Sequence, residues 1–285
     1  QAKIEDDGAV YVELGNLPKK YVLRSNGTAS YITQDIGAAV ERYNKYKFDR
    51  MIYVTDFRQE MHFRQLFAIL EKFGYDFSGR LLHIGFGTLN FEGEIIATRK
   101  GKIVLLDDVL KKTIEKAQEE IRKRKTKGNA EHIGVGSVKY AILKNEPRKD
   151  VKFSWEQALK FEGDTGPYLQ YSHARACSIL RKAKIASNAN LKADFSMLKN
   201  EKETALVKIL SDFPEICANA ASQLAPNVVA NYACLAAKAF NDFYESCPVL
   251  KAGDEKEARL LLVMAARQIL NNSLALLGIE AVEEM

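Results

Sequence analysis

Hydrophobic positions along the 285-residue chain follow two patterns that change over near residue 107. Before it, short runs rich in β-branched and aromatic residues are predicted strands: AVYVEL (9–14), YVLRS (21–25), RMIYVTD (50–56), RLLHIGFG (80–87) and KIVLLDD (102–108). Between them, TQDIGAAVERYNKY (33–46) and QEMHFRQLFAILEKFG (59–74) are predicted helices. Strands alternating with amphipathic helices of this length predict βα units around a largely parallel sheet, a nucleotide-type α/β half-domain. After residue 107 the apolar spacing settles at 3.6, in DDVLKKTIEKAQEEI, SVKYAILKN, ALVKILSDF, VVANYACLAAKAFNDFYES and ARLLLVMAARQILNNSLALLG. Pro147, Pro167, Pro214, Pro226 and Pro248 punctuate these segments. The expected organisation is therefore an α/β part over residues 1–130 and an α-helical bundle over 131–285.

Composition refines this picture. With 47% hydrophobic and 28% charged residues the chain can bury a large core, and its length suits about two domains. No run of 18 apolar residues exists, and the opening QAKIEDDGAVYVE has none of the features of a signal peptide, so no membrane span and a cytoplasmic location are expected. Cys177, Cys217, Cys234 and Cys247 are scattered without CxxC pairing and read as reduced, buried structural thiols, with no metal site. The net charge of +5 is concentrated in IRKRKTKG (121–128), either a surface meeting phosphates or a solvated helix end. The chain opens at Gln1 without Met, as though partway through a domain, so an excised fragment is expected.

Four stretches carry candidate chemistry. In YITQD, Tyr31 and Asp35 stand four apart, so a helix beginning at Thr33 brings both to one pocket, where a carboxylate can pair with a guanidinium; the competing reading is a helix cap. TDFRQEMHF puts Gln59 and His62 at a strand end and helix start, where open α/β sheets bind ligands, although a histidine beside Phe63 and Phe67 also suits half-buried packing. EGEIIATRKGKIVLLDDVL holds Thr98, Arg99, Lys100 and Gly101 in a loop suited to a polyphosphate, or else forms a basic surface turn. FEGDTGPYLQYSHAR packs a Gly163–Pro167 turn against Tyr168, Tyr171, His173 and Arg175, more polar and aromatic chemistry than a plain helix start needs.

The segments YITQDIGAA, MIYVTDFRQEMHF, HIGFG, ATRKGKIVLLDDVL, FEGDTGPYLQYSHAR and AARQILNNSLALLGIEAVEEM resemble, in this order, the C-terminal half of the arginyl-tRNA synthetase family, over essentially the whole chain. The resemblance implies part of a Rossmann-type class I catalytic domain followed by an α-helical anticodon-binding bundle. It implies that Tyr31, Asp35 and Gln59 recognise L-arginine, and that His62, Gly85, Phe86 and Ile96 face ATP. Thr98, Arg99 and Lys100 fall on the catalytic KMSKS-type loop, often MSTRKG in the family; Ile96 and Ala97 replace its methionine and serine. Tyr168, Tyr171, Arg175, Tyr244 and Met285 match tRNA-contacting positions, the tyrosines by stacking or through their hydroxyls and Arg175 at phosphate; packing of the two tyrosines into the bundle is the alternative.

HIGFG is not the HIGH signature of class I synthetases, because Phe86 stands for the second histidine and the run reads as a strand. That helix belongs upstream of YITQD, and nothing before Tyr31 supplies it, so the chain alone is not expected to make arginyl adenylate. The implied partners are the tRNA for arginine, L-arginine, ATP with Mg2+ as substrate, and an N-terminal part of the same enzyme, in a monomer without tightly bound cofactor. The rival reading is a stand-alone tRNA-binding paralogue that does not aminoacylate.

Overall fold

A computed structural model describes residues 1–91, 105–186 and 191–285 and divides into two compact units, Gln1–Thr88 and Leu89–Met285. In the first unit, β1 (Ala2–Ile4), β2 (Val10–Leu14) and β3 (Leu17–Leu23) form an antiparallel sheet in that order. The expected βα alternation does not extend to this stretch. Leu14 pairs with Leu17 across a two-residue turn, Gly15-Asn16, with Gly15 at φ +61°, and so short a connection permits only antiparallel pairing.

The next elements form a βα unit. Helix α1 (Tyr31–Tyr46) starts two residues earlier than its expected Thr33, because Ser30 hydroxyl donates to Tyr21 O and Thr33 hydroxyl to Val22 O, tying the first turn to β3. Strands β4 (Met51–Asp56) and β5 (Leu81–Phe86) pair in parallel, Met51 opposite Leu81 and Asp56 opposite Phe86. Helix α2 (Glu60–Lys72) crosses between them and buries Phe63, Leu66, Ile69 and Leu70 against Val12, Val22, Ile32 and Leu81.

In the second unit, β6 (Leu89–Phe91) pairs in parallel with β7 (Val151–Phe153). Helix α3 (Leu106–Arg124) takes in the last residues of KIVLLDD, so Leu106–Asp108 are helical rather than extended; the segment 92–104, with Ile96, Thr98, Arg99 and Lys100, lies outside the described residues. There follow α4 (Ala130–Leu143), α5 (Trp155–Ala158), α6 (Gly166–Ala183), α7 (Glu201–Ser211), α8 (Phe213–Gln223), α9 (Pro226–Ser246) and α10 (Lys256–Leu276).

The apolar stripes of α9 and α10 meet as their periodicity predicts. Val229, Ala233, Ala237, Leu270 and Leu274 form one end of the core, and Phe240, Phe243, Leu260 and Val263 the other. Pro214 and Pro226 fall in the first turns of α8 and α9, where a missing N–H costs nothing. All four cysteines are free thiols; Cys177 and Cys247 are buried as expected, whereas Cys217 on α8 and Cys234 on α9 are only half-buried. Among the described residues no helix is long and apolar enough to cross a membrane.

The glycine turn before α6 is built for close packing. Thr165 caps the helix, its hydroxyl accepting from Tyr168 N at 3.2 Å, while Gly163 takes φ +77°. A Cβ on Gly166 would lie 2.7 Å from Gly136 O of α4, a contact with backbone that no rotamer change relieves. Gly166→Ala is therefore expected to destabilise the unit by about 1–3 kcal/mol in urea unfolding, as α4 and α6 are forced apart.

Candidate nucleic-acid interface and substrate pocket

Sequence places Tyr168, Tyr171 and Arg175 on consecutive turns of α6, and α9 brings Tyr244 and Asn241 against them. The Arg175 guanidinium lies 4.7 Å from the Tyr171 ring centre and 5.1 Å from that of Tyr244, so it is held between two aromatic faces. It also donates to Asn241 Oδ1 at 2.7 Å and to the Tyr171 hydroxyl at 2.9 Å. Asn241 in turn donates to the Tyr168 hydroxyl at 3.0 Å and to Ser172 Oγ at 2.9 Å. Tyr168, Tyr171, Arg175 and Met285 line an open cavity of about 900 Å3, and Tyr171, Arg175, Tyr244 and Met285 a second of about 450 Å3. Tyr171 and Tyr244 thus meet Arg175 directly and Tyr168 through Asn241, while Met285 lines both cavities beside it. Tyr168 also packs against the bundle core, so packing and presentation to the cleft coexist in one side chain.

Arg124 and Lys127, from the basic run that ends α3 and follows it, reach the same cavities, with Arg124 stacked 4.2 Å over Phe161. Cations and aromatic rings around an open cleft are the combination that single-stranded RNA binding uses. Asp164 has a different role. It accepts from Tyr140 hydroxyl at 2.5 Å and from Lys144 at 3.0 Å, fastening the turn to α4. Burial would raise the Asp164 carboxyl, but these hydrogen bonds outweigh it and hold it below the usual value; burial and Asp164 together push the Tyr140 phenol up.

Polar groups buried on α6 hold the C-terminal segment. Gln170 donates to His132 O and to Glu280 O at 2.8 Å, and His173 Nδ1 donates to Val282 O at 2.9 Å. Arg181 pairs with Glu284 at 3.0 Å, and Met285 packs beside Ile121 and Ile133. Burial lowers the His173 pKa despite that carbonyl, so its neutral ring is the folded form. The unfolded ring titrates near 6.5, and as pH falls below about 6.5 the unfolded chain binds a proton the folded one resists. Stability is complete above that value and is lost toward the lower folded pKa. Melting temperatures from about pH 8 to 5 should fall more steeply for the wild type than for His173→Gln.

The first unit carries the other group. Asp35 on α1 and His62 on α2 are joined, Oδ2 to Nε2, at 2.7 Å, leaving Asp35 Oδ1 without a hydrogen bond among the described residues. Tyr31, one turn before Asp35, is 77% exposed, and Gln59, one turn before His62, is exposed just beyond the carboxyl end of β4. Arg58 clasps Asp56 there, holding its carboxyl at about 2. At the matching end of β5, Phe86 is exposed and Gly85 is packed so closely that a Cβ would sit 2.6 Å from Phe57 Cα. Gln59, His62 and Phe86 thus stand near the carboxyl ends of the parallel strands β4 and β5, where open α/β sheets take their ligands. His62 also packs edge-on against Phe63 at 5.4 Å, so pairing and packing again share one residue.

Asn241 and Gln170 escaped the sequence reading because a buried hydrogen-bonding side chain has no periodic signature; the i, i+3 spacing of Asn241 to Tyr244 is the one available clue.

Comparison with known proteins also gives two parts, with the change between them later in the chain. Residues 2–155 match the family described as tRNA synthetases class I (R), catalytic domain, and residues 169–285 the DALR anticodon binding domain. The chain is 42% identical to an arginine–tRNA ligase of Clostridium kluyveri, over 99% of this chain and 51% of that protein, and 39% identical to arginine–tRNA ligase 2 of Bacillus anthracis, over 99% and 50%. It spans about half the length of these curated relatives. Among solved structures, the Thermus thermophilus arginyl-tRNA synthetase matches with a TM-score of 0.88 at 29% identity, covering all of this chain and 56% of that one. The Plasmodium falciparum arginyl-tRNA synthetase matches with 0.85 at 27%, covering all of this chain and 50% of that one. A partial class I fold with a parallel strand pair, a helical bundle ending in a DALR domain, and these matches along the whole chain have one meaning: the chain belongs to the class I arginyl-tRNA synthetase family.

Proposed function

We propose that these residues carry one wall of the arginine pocket, the ATP-facing end of the sheet and the anticodon-binding domain of a cytoplasmic, monomeric enzyme that joins L-arginine to its tRNA using ATP. The observation that carries this reading is the convergence of Tyr168, Tyr171, Arg175, Tyr244 and Met285 on a cleft of the helical unit made of two cavities that share Tyr171, Arg175 and Met285. Rings for bases and a guanidinium for phosphate make that cleft an RNA site.

In the first unit, Asp35 accepts from the substrate guanidinium through its open Oδ1, with Tyr31 and Gln59 beside it. His62 fixes that carboxylate and, with Gly85, Phe86 and Ile96, faces ATP. Thr98, Arg99 and Lys100 meet the polyphosphate, whose charge enters partly neutralised by Mg2+. The protein's contribution to the reaction is positioning and electrostatic stabilisation of phosphoryl charge. A tRNA-binding paralogue without aminoacylation draws no support from relatives named as ligases.

The complete reaction is assigned to the whole protein. On this reading the phosphate-binding HIGH helix is not among these residues, since those ahead of Tyr31 form strands and turns and His83–Phe86 lie within β5. The 285-residue chain is expected to bind the arginine anticodon stem-loop in a fluorescence titration, more tightly than an anticodon-swapped one, and to give no arginine-dependent ATP–pyrophosphate exchange. Equal affinity for both RNAs would overturn the anticodon role; robust exchange by the pure chain would overturn the assignment of the HIGH helix elsewhere.

A further inference from the structure

We infer that Asn241 sets the hydrogen-bond polarity of the cleft, so that Tyr168 and Tyr171 both face the RNA as O–H donors and the cleft selects groups that accept. The inference rests on the RNA-binding reading and specifies which chemistry the site recognises.

The argument starts from Arg175, whose guanidinium has donors and no acceptor. Its Nη1 lies 2.7 Å from one end of the Asn241 amide, so that end must be the oxygen. The amide orientation follows from the guanidinium alone, and the NH2 end must then face Tyr168 and Ser172, at 3.0 and 2.9 Å. Ser172 agrees with this orientation. Its hydroxyl proton is spent on Tyr168 O at 2.8 Å, leaving its oxygen to accept from Asn241. The Asn241 amide, only 8% exposed, is thus fully committed.

The consequence falls on the phenols. Tyr168 oxygen accepts from Asn241 and Tyr171 oxygen accepts from Arg175 Nη2 at 2.9 Å, so neither can turn its proton inward. Among the described residues neither proton has an acceptor, and both side chains line the cavity of about 900 Å3. The cleft therefore offers two O–H donors beside a cation. A ligand presenting oxygen or ring-nitrogen acceptors fits, whether a base edge or a phosphate, and an exocyclic amino group pointed at the same place does not.

Asn241 acts through its neighbours, as a positioning residue. Tyr168→Phe keeps the ring and removes only the donor; it should weaken binding of the full chain to the arginine anticodon stem-loop by roughly tenfold. Asn241→Asp accepts from Arg175 as before but also accepts from Tyr168, turning the phenol proton inward. In the Asn241→Asp background, Tyr168→Phe should therefore cost nothing further. This comparison cancels the effect of the added charge, which both members share. A structural role for Asn241 would not produce that coupling.

Fluorescence titrations of the four proteins against cognate and anticodon-swapped stem-loops decide the matter. A Tyr168→Phe loss confined to cognate RNA identifies a base-edge acceptor, and an equal loss on both a phosphate; either supports the polarity. Equal Tyr168→Phe losses in the two backgrounds would overturn it. Should the Asn241→Asp chain fail to fold, Tyr168→Phe alone remains decisive, since undiminished affinity also overturns the inference. Failure of the wild type to bind either RNA would instead remove the RNA-binding reading beneath it.

Discussion

Replacing Arg259 by alanine is expected to remove about 3–5 kcal/mol of stability from the helical unit, because it leaves the Glu203 carboxylate charged, buried and unpaired. Glu203, on the first turn of α7, has a fully buried side chain, and that of Arg259, on α10, is 14% exposed. Their Oε1 and Nε lie 2.7 Å apart. The second carboxylate oxygen accepts from Asn200 N at 2.8 Å, completing the capping box of α7, and Arg259 Nη1 donates to Pro248 O at 2.9 Å. Both carboxylate oxygens and two of the guanidinium nitrogens are thus engaged, and the pair ties α7, α10 and the α9–α10 connection around Leu206, Phe243 and Val263. Urea unfolding should show the loss, with a fall in melting temperature on the order of 10 °C. The double replacement Glu203→Leu with Arg259→Met, which removes both charges and keeps volume, should be far milder. A mild effect of Arg259→Ala would mean that water reaches Glu203.

Much of this framework was legible in the sequence, for a physical reason. Where one helix face is buried against apolar neighbours, as in α2, α9 and α10, the period of 3.6 records the burial and the observed ends fall within about two residues of the expected ones. Where polar groups are buried, the record fails. Gln170, Ser172 and His173 look like a soluble or functional face of α6, yet all three are buried, with partners on α4, the C-terminal segment and α6 itself. Pro214 reads as a break, but it opens α8 from an early position. The β1–β3 sheet was hidden because strands alone do not state their direction; the Gly15-Asn16 turn does. For the site, the sequence pointed to Tyr168, Tyr171, Arg175 and Tyr244 individually, while the shared dependence of Tyr168 and Arg175 on Asn241 required the fold.

Arg175→Ala is expected to have the largest effect on RNA binding, about a hundredfold, since the variant loses a cation and a scaffold together. As the guanidinium departs, Tyr171 and Tyr244 lose the plane between their rings, Asn241 Oδ1 loses its donor, and Tyr171 loses the bond that fixes its hydroxyl. The two parts of the loss can be separated. A phosphate contact is blind to sequence and releases a counterion, so its removal should weaken cognate and anticodon-swapped RNA alike and lower the salt slope by about one. Collapse of the aromatic platform should add a loss for cognate RNA alone, comparable to that of Tyr244→Ala, which removes one stacking face and should cost roughly tenfold. Arg175→Lys discriminates further, because an ammonium keeps the charge but can neither stack as a plane nor bridge Asn241 and Tyr171 in one fork. It should restore the salt slope while recovering only part of the cognate affinity. Titrations of wild type, Arg175→Ala, Arg175→Lys and Tyr244→Ala at several salt concentrations, with folding checked by circular dichroism, give all these quantities. Full recovery of cognate affinity by lysine would show that Arg175 serves as a point charge, and an unchanged affinity of Arg175→Ala would place the RNA elsewhere on the bundle.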